Sequence, residues 1–223
     1  MEKIAENIET VVSTFQKGRA LGESRISLDE LIMELDKVEQ RYRSVAYEGA
    51  SMGVSIVRDD GWRAFRAKSE AHSTQIHIGL GWAFAEQEWP IDKELHHVES
   101  EYRSKVLDGF GYWHGLFRIR LTIRTQTIPE VISTENLSNF DQGVGRAIWY
   151  ISKGEVEKLL NIIGHFPEER KPNLWRGIGI ASTYVDGCSE ELISELKIAS
   201  KEFNSEFEKG IKAAENSLLK ATF

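Results

Sequence analysis

The chain has 223 residues, 41% of them hydrophobic and 10% aromatic with six tryptophans, which is the make-up of a folded protein and not of a disordered one. Its 28 basic and 35 acidic residues leave a net charge of -7, and this with the pI near 5.5 argues against a nucleic-acid binder, which normally shows a basic face. A lone cysteine, Cys188, excludes a disulfide framework and a cysteine-built metal knuckle.

A reducing cytoplasm fits that cysteine usage best. The first residues lack the apolar core of a signal peptide, and no run approaches the ~18 apolar residues of a membrane span. The expectation is one all-α helical-repeat domain over residues 1–223. An N-terminal helix occupies 1–26, repeats fill 27–208, and a C-terminal helix or tail covers 209–223.

Residues 27–43 carry Leu28, Leu31, Ile32, Leu35 and Val38 at helical spacing behind a Ser/Asp/Glu start, which predicts an amphipathic helix. A glycine pattern then recurs: Ala50-Ser51-Met52-Gly53, Ile78-Gly79-Leu80-Gly81, Asp108-Gly109-Phe110-Gly111, Gln142-Gly143-Val144-Gly145 and Arg176-Gly177-Ile178-Gly179. The copies start at 51, 79, 109, 143 and 177, and a fainter one follows at Lys209-Gly210-Ile211. Such a period is the mark of a repeat architecture. Between copies, Phe117-Arg118-Ile119-Arg120-Leu121-Thr122-Ile123-Arg124 alternates apolar and polar residues, the period of a strand, so a short extended insert is expected near 117–124. The same pattern on a helix is the alternative. Further amphipathic helices are predicted over 155–163, with Val156, Leu159, Leu160 and Ile163, and over 189–207, with Leu192, Leu196, Phe203 and Phe207. Pro90, Pro129, Pro167 and Pro172 fall between the glycine copies, where connections belong.

Two glycines in a helix cost about 1 kcal/mol each relative to alanine, so they need a reason. A side chain of one hydrogen lets a neighbouring helix approach closely. No β-branched strand precedes most copies, which disfavours a nucleotide-binding turn. The resulting picture is an array of about five to six helical hairpins, tetratricopeptide-like or a closed α/α bundle, with one helix of each carrying the small residues. Trp175, four before Gly179, is a partial match to the tetratricopeptide pattern.

Polar residues stand beside the copies: Glu48, His77, Asp108, Asp141 and Arg176, with His114 and Arg146 close behind. If the motif helices line one surface, these groups converge there, and a buried unpaired carboxylate acquires a raised pKa suited to proton transfer. Trp82, Phe110, Tyr112, Trp113, Trp149 and Tyr184 would add aromatic lining for a hydrophobic, polarisable ligand. The structural alternative is that the acids cap helices or form local pairs, Asp141 with Arg146 and Asp108 with His114, and that the tryptophans are core. The chain has no Gly-x-Ser-x-Gly elbow, zinc helix or phosphate loop, so neither a metal nor a cofactor is expected. His96-His97 and Asp59-Asp60 lack metal-ligand spacing, and Cys188, after the turn-like Asp186-Gly187, has no nearby histidine.

The segments Ala46-Tyr47-Glu48-Gly49-Ala50-Ser51-Met52-Gly53, Gly79-Leu80-Gly81-Trp82-Ala83, Asp108-Gly109-Phe110-Gly111, Phe140-Asp141-Gln142-Gly143-Val144-Gly145-Arg146-Ala147-Ile148-Trp149 and Leu174-Trp175-Arg176-Gly177-Ile178-Gly179 resemble an uncharacterised bacterial family. Its members often lie beside enediyne polyketide synthase genes. The likeness spans about Phe15 to Ser205 and implies a setting in natural-product biosynthesis without supplying a mechanism.

Two functions are therefore expected. One is an enzyme that folds or cyclises a polyene polyketide or isoprenoid by metal-independent acid/base catalysis. Asp108 and Asp141 would exchange protons, Glu48 and His114 would tune them, and Arg146 and Arg176 would clamp anions. The other is a non-catalytic helical-repeat protein that holds a partner peptide or shields a labile intermediate. Exposed array edges also allow a homo-oligomer.

Overall fold

The computed structural model describes residues 2–58, 60–184 and 188–220. Asp59 and the turn expected at Asp186-Gly187 lie outside the described residues. Twelve α-helices and no strand are present among the residues described. In chain order they are α1 (Glu2–Glu23), α2 (Leu28–Asp36), α3 (Gln40–Val57), α4 (Gly61–Lys68), α5 (Ser73–Glu86) and α6 (Ile91–Glu94). There follow α7 (Arg103–Phe117), α8 (Leu137–Ser152), α9 (Val156–Gly164), α10 (Lys171–Tyr184), α11 (Glu190–Ser200) and α12 (Asn204–Lys220). A π-helical turn, Arg120–Arg124, separates α7 from α8. The protein is all-α, with short helices alternating with helices that carry the small residues.

Two compact units are formed. The amino unit comprises Thr10–Phe110 with Ser217–Phe223, and the carboxy unit comprises Met1–Glu9 with Gly111–Asn216. In each, helices of the glycine motif meet backbone to backbone. In the amino unit, side chains added at Gly49 and Gly53 would strike α1, one at Gly79 would strike Glu48 and Ser51 of α3, and one at Gly81 would strike α7. In the carboxy unit, Gly111 lies on Phe140 of α8, Gly145 on Leu174 of α10, and Gly179 on Phe207 of α12.

The spacing of the glycines follows from helix geometry. Residues two apart on an α-helix lie about 200° apart around the axis, on nearly opposite faces. Gly-x-Gly therefore marks a helix flanked on both sides: Gly177 faces α8 while Gly179 faces α12, and in the amino unit Gly79 faces α3 while Gly81 faces α7. Residues four apart share one face. Gly18 and Gly22 of α1, absent from the repeat as read in the sequence, both meet α3, at Ala46 and Ala50. On α3 the glycines that meet α1 are Gly49 and Gly53, while Ser51 turns to the other side and donates its hydroxyl to the Ile76 carbonyl of α5 at 2.6 Å. Helices flanked this way are buried nearly all round: every residue from 75 to 85 in α5 and from 140 to 149 in α8 is buried.

The short helices cover the outside of these contacts. Leu31 and Leu35 of α2 pack with Tyr47, Ala50 and Val54 of α3, Phe65 of α4 and Ile76 of α5. Ser27 and Glu30 form the reciprocal cap that the sequence announces for α2. The helix predicted over 27–43 is broken, however. It ends at Asp36, Glu39 leaves the helical range with a ψ of 131°, and Arg43 of α3 donates to the carbonyls of Asp36 and Val38 that close α2. The break folds α2 back onto α3 as a hairpin. Likewise the helix predicted over 189–207 is divided into α11 and α12 by a 3₁₀ turn, Lys201–Phe203, entered at a positive φ of 48°.

The extended insert near 117–124 is not formed. Residues up to Phe117 belong to α7, and Arg120–Arg124 is the π turn, closed by the Thr125 amide donating to the Arg120 carbonyl at 3.0 Å. An alternating pattern placed on a helical backbone scatters both classes of side chain around the axis. Thr122 and Ile123 are consequently buried, whereas Phe117, Ile119 and Leu121 are exposed.

Candidate functional site

Each unit holds its own polar residues, and the sequence-nominated groups divide between them. In the carboxy unit Asp141 is 1% exposed, in the first half of α8. Its partner is Arg170, five per cent exposed, from the segment leading into α10. Arg170 Nη2 donates to Asp141 Oδ1 at 2.5 Å, and Nε donates to both carboxylate oxygens at 3.0 and 3.2 Å. Burial holds the Asp141 carboxyl above the ordinary range, and Arg170 offsets only part of that rise. The remaining guanidinium nitrogen, Nη1, donates to the Gln126 carbonyl at 3.0 Å. Gln126 has a φ of 56° and its side chain donates to the His165 carbonyl at 2.5 Å. The buried pair thus anchors the loop that follows the π turn. The structural alternative read from the sequence pairs Asp141 with Arg146; Arg170, 29 residues on, carries no local signal beyond its place between Pro167 and α10.

Arg146 lies instead over the Tyr112 ring, 4.3 Å from its centroid, and Tyr112 sits 5.7 Å from Tyr150. A guanidinium on an aromatic face is stabilised by the ring quadrupole. Arg176 is bound to Glu206 of α12, with Nε donating at 2.8 Å, and Lys209 joins the same carboxylate. His114 stands against Trp113 and Phe140, and burial with the nearby Arg118 charge pulls its imidazole down to about 4. It is neutral at pH 7. Trp149 is wholly buried, and Tyr184 ends α10 half-buried.

In the amino unit Glu48 and Asp108 are buried on α3 and α7, Phe110 is buried, and Trp82 is buried on α5 against Phe15, 4.5 Å between centroids. The structure brings together Tyr112 with Arg146 and Trp113 with His114; Asp141 and Arg176 are each joined to residues outside the nominated set.

A second polar cluster, which the sequence reading did not nominate as a site, lies in the amino unit. His77, fully buried on α5, donates from Nδ1 to the Ser73 carbonyl at 2.6 Å, which leaves the lone pair on Nε2. Its ring stacks on Tyr102 at 4.1 Å and meets the edge of Trp62 at 5.4 Å. Nε2 is 3.8 Å from a Glu99 oxygen, and Arg66 both pairs with Glu99 at 2.9 Å and lies over Tyr102. Burial lowers the His77 pKa. His77 stands two before Gly79, so its position beside the motif was visible, but its aromatic surroundings come from α4 and the turn before α7.

Among the described residues no group of three or more His, Cys, Asp or Glu is placed to hold a metal ion, and no helix is long and apolar enough to cross a membrane. No curated protein and no solved structure matches the chain. The family described as Protein of unknown function (DUF1702) matches residues 1–222, and the chain belongs to that family.

Proposed function

We propose that the protein is a binding protein of natural-product biosynthesis that holds and shields a hydrophobic, unsaturated intermediate in the cytoplasm. The observation that carries this reading is the state of Asp141. The acid best placed in the sequence for proton transfer is buried and accepts its hydrogen bonds from Arg170. A carboxylate held so is one half of a structural ion pair, because removing its partner would leave an uncompensated buried charge. Arg176, expected to clamp an anion, is committed to Glu206. The setting comes from the likeness to sequences encoded beside enediyne polyketide synthases, and the tryptophans and tyrosines of the motif helices suit an apolar, polarisable occupant.

One observation favours the enzymatic alternative, a metal-independent cyclase or isomerase. His114 is a neutral imidazole among aromatic rings, a weakened base that would take a proton from a strongly acidic polyene or isoprenoid carbocation. In that reading Asp108 and Asp141 exchange protons with the substrate and Glu48 tunes them.

One experiment separates the two. The protein is purified from its producing host, and the small molecules bound to it are extracted and identified by mass spectrometry. A binding protein returns the bound molecule unchanged on incubation and slows its decay, whereas an enzyme converts it. Asp108→Asn, Asp141→Asn and Glu48→Gln then test the acids. If all three fold and support normal product formation, the catalytic assignment is wrong. If nothing apolar co-purifies and host extract leaves the melting temperature unmoved, the binding assignment is wrong.

A further inference from the structure

We infer that residues 117–131 of the carboxy unit form a docking surface for an anionic lipid bilayer. The inference rests on exposure and charge, and it stands independently of the binding function proposed above. Large apolar side chains are concentrated there: Phe117 is 63% exposed and Leu121 50%, and Ile119, Ile128 and Val131 are exposed with them. Exposed arginines, Arg118, Arg120 and Arg124, are interleaved with these side chains, against a single acid, Glu130. Three arginines against one glutamate give the segment a net charge of +2 in a chain of net charge -7.

The segment is held in place from below. Phe117 rests on buried Trp113 at 5.4 Å, Arg118 lies over the same indole, and Arg170 holds Gln126 from the buried pair with Asp141. Thr122 and Ile123 are buried, which turns Leu121 and Arg124 outward. The π turn is the device that produces this presentation, and such turns are enriched at functional positions.

Charge and texture together select the occupant. Apolar side chains scattered singly between arginines do not make the apolar, charge-depleted centre that a protein interface needs. A bilayer interface makes no demand for shape. It takes apolar side chains a short way below the headgroups and leaves long cationic side chains at the phosphates. Each basic residue near an anionic surface strengthens attachment about five-fold.

The test is co-sedimentation of the full chain with vesicles of phosphatidylcholine alone or mixed with phosphatidylserine. Wild type is expected to sediment with the phosphatidylserine vesicles, less so as salt is raised, and to stay in solution with phosphatidylcholine alone. The triple variant Arg118→Gln, Arg120→Gln, Arg124→Gln is expected to lose on the order of 100-fold in partitioning. Phe117→Ser with Leu121→Ser is expected to lose roughly ten-fold. Because these side chains are exposed, both variants should melt as wild type does. The inference is overturned if folded wild type ignores phosphatidylserine vesicles, if neutral vesicles bind it equally, or if both variants sediment unchanged. It is also overturned if the arginines prove necessary for capturing an acidic protein while vesicles are not bound. None of these outcomes bears on whether a small molecule co-purifies.

Discussion

Replacement of Gly145 by alanine tests the packing of the motif helices most directly. A methyl group there would stand 2.8 Å from both the Leu174 carbonyl carbon and its Cα, and closer still to the carbonyl oxygen. Ordinary contact begins near 3.4 Å and the carbonyl oxygen is the limiting atom, so α8 and α10 must part by about 1 Å or more. The obstacle is backbone, so no side chain can rotate away. A gap of that size forfeits about half or more of each dispersion contact along the seam. It also separates the Cα–H of Gly145 from the carbonyl it points at, a contact worth about 0.5–1 kcal/mol. Overpacking of this kind costs about 3 kcal/mol, and the better helix propensity of alanine returns about 1 kcal/mol. The net loss of roughly 2 kcal/mol lowers the melting temperature by about 4–8 °C in a chain of this size.

Gly164 supplies the control. It ends α9 with nothing within 4 Å of an added methyl group, and no positive φ opposes the substitution. Gly164→Ala should therefore gain up to about 1 kcal/mol. Chemical denaturation followed by far-UV circular dichroism measures both variants. If Gly145→Ala unfolds within about 0.5 kcal/mol of wild type, the backbone contact does not govern this seam.

Two further outcomes follow from the buried ionisable groups. Arg170→Ala leaves Asp141 buried and unpaired and should cost about 3–5 kcal/mol, while the double change Arg170→Met with Asp141→Leu should recover most of it; a single substitution with no effect on unfolding would remove Asp141 from its structural role. Stability should also fall on acidification through two histidines. His72, stacked on Tyr47 at 3.7 Å, and His114 are each lowered from 6.5 to about 4, His72 chiefly by burial. The unfolded chain takes up these protons first, so their contribution is complete above pH 6.5 and is lost as pH falls toward 4. His72 accounts for about 2–3 kcal/mol of the fall. Unfolding curves of wild type and His72→Phe, compared across that window, should converge; parallel curves would refute the assignment.

Much of the architecture was legible in the residues themselves. The helical period and the Ser27–Glu30 cap announce α2, the apolar face of 155–163 announces α9, and the recurring small residues announce the helices that meet most closely. These are local signals, fixed by periodicity, by capping chemistry and by the space a side chain needs. Even Gly-x-Gly carries its geometry, since two residues turn through about 200° and so point at two different neighbours. Gly18 and Gly22 went unseen because their spacing of four marks one flanked face and breaks the repeat.

Partners distant in the chain were not legible. Nothing near Asp141 in sequence names Arg170 across 29 residues, and nothing near His77 names Tyr102 and Trp62 as its stacking and edge partners. Periodicity also misjudged residues 117–124, because alternation reports a face only if the backbone is extended. Once the segment is helical, the same alternation places apolar and cationic side chains together in solvent. The sequence alone determined that the chain is helical and which small residues let helices approach closely, but not where the helices over 27–43 and 189–207 break. Tertiary structure decided which charges neutralise one another and which side chains are left facing out, because both depend on distances set between helices and not within them.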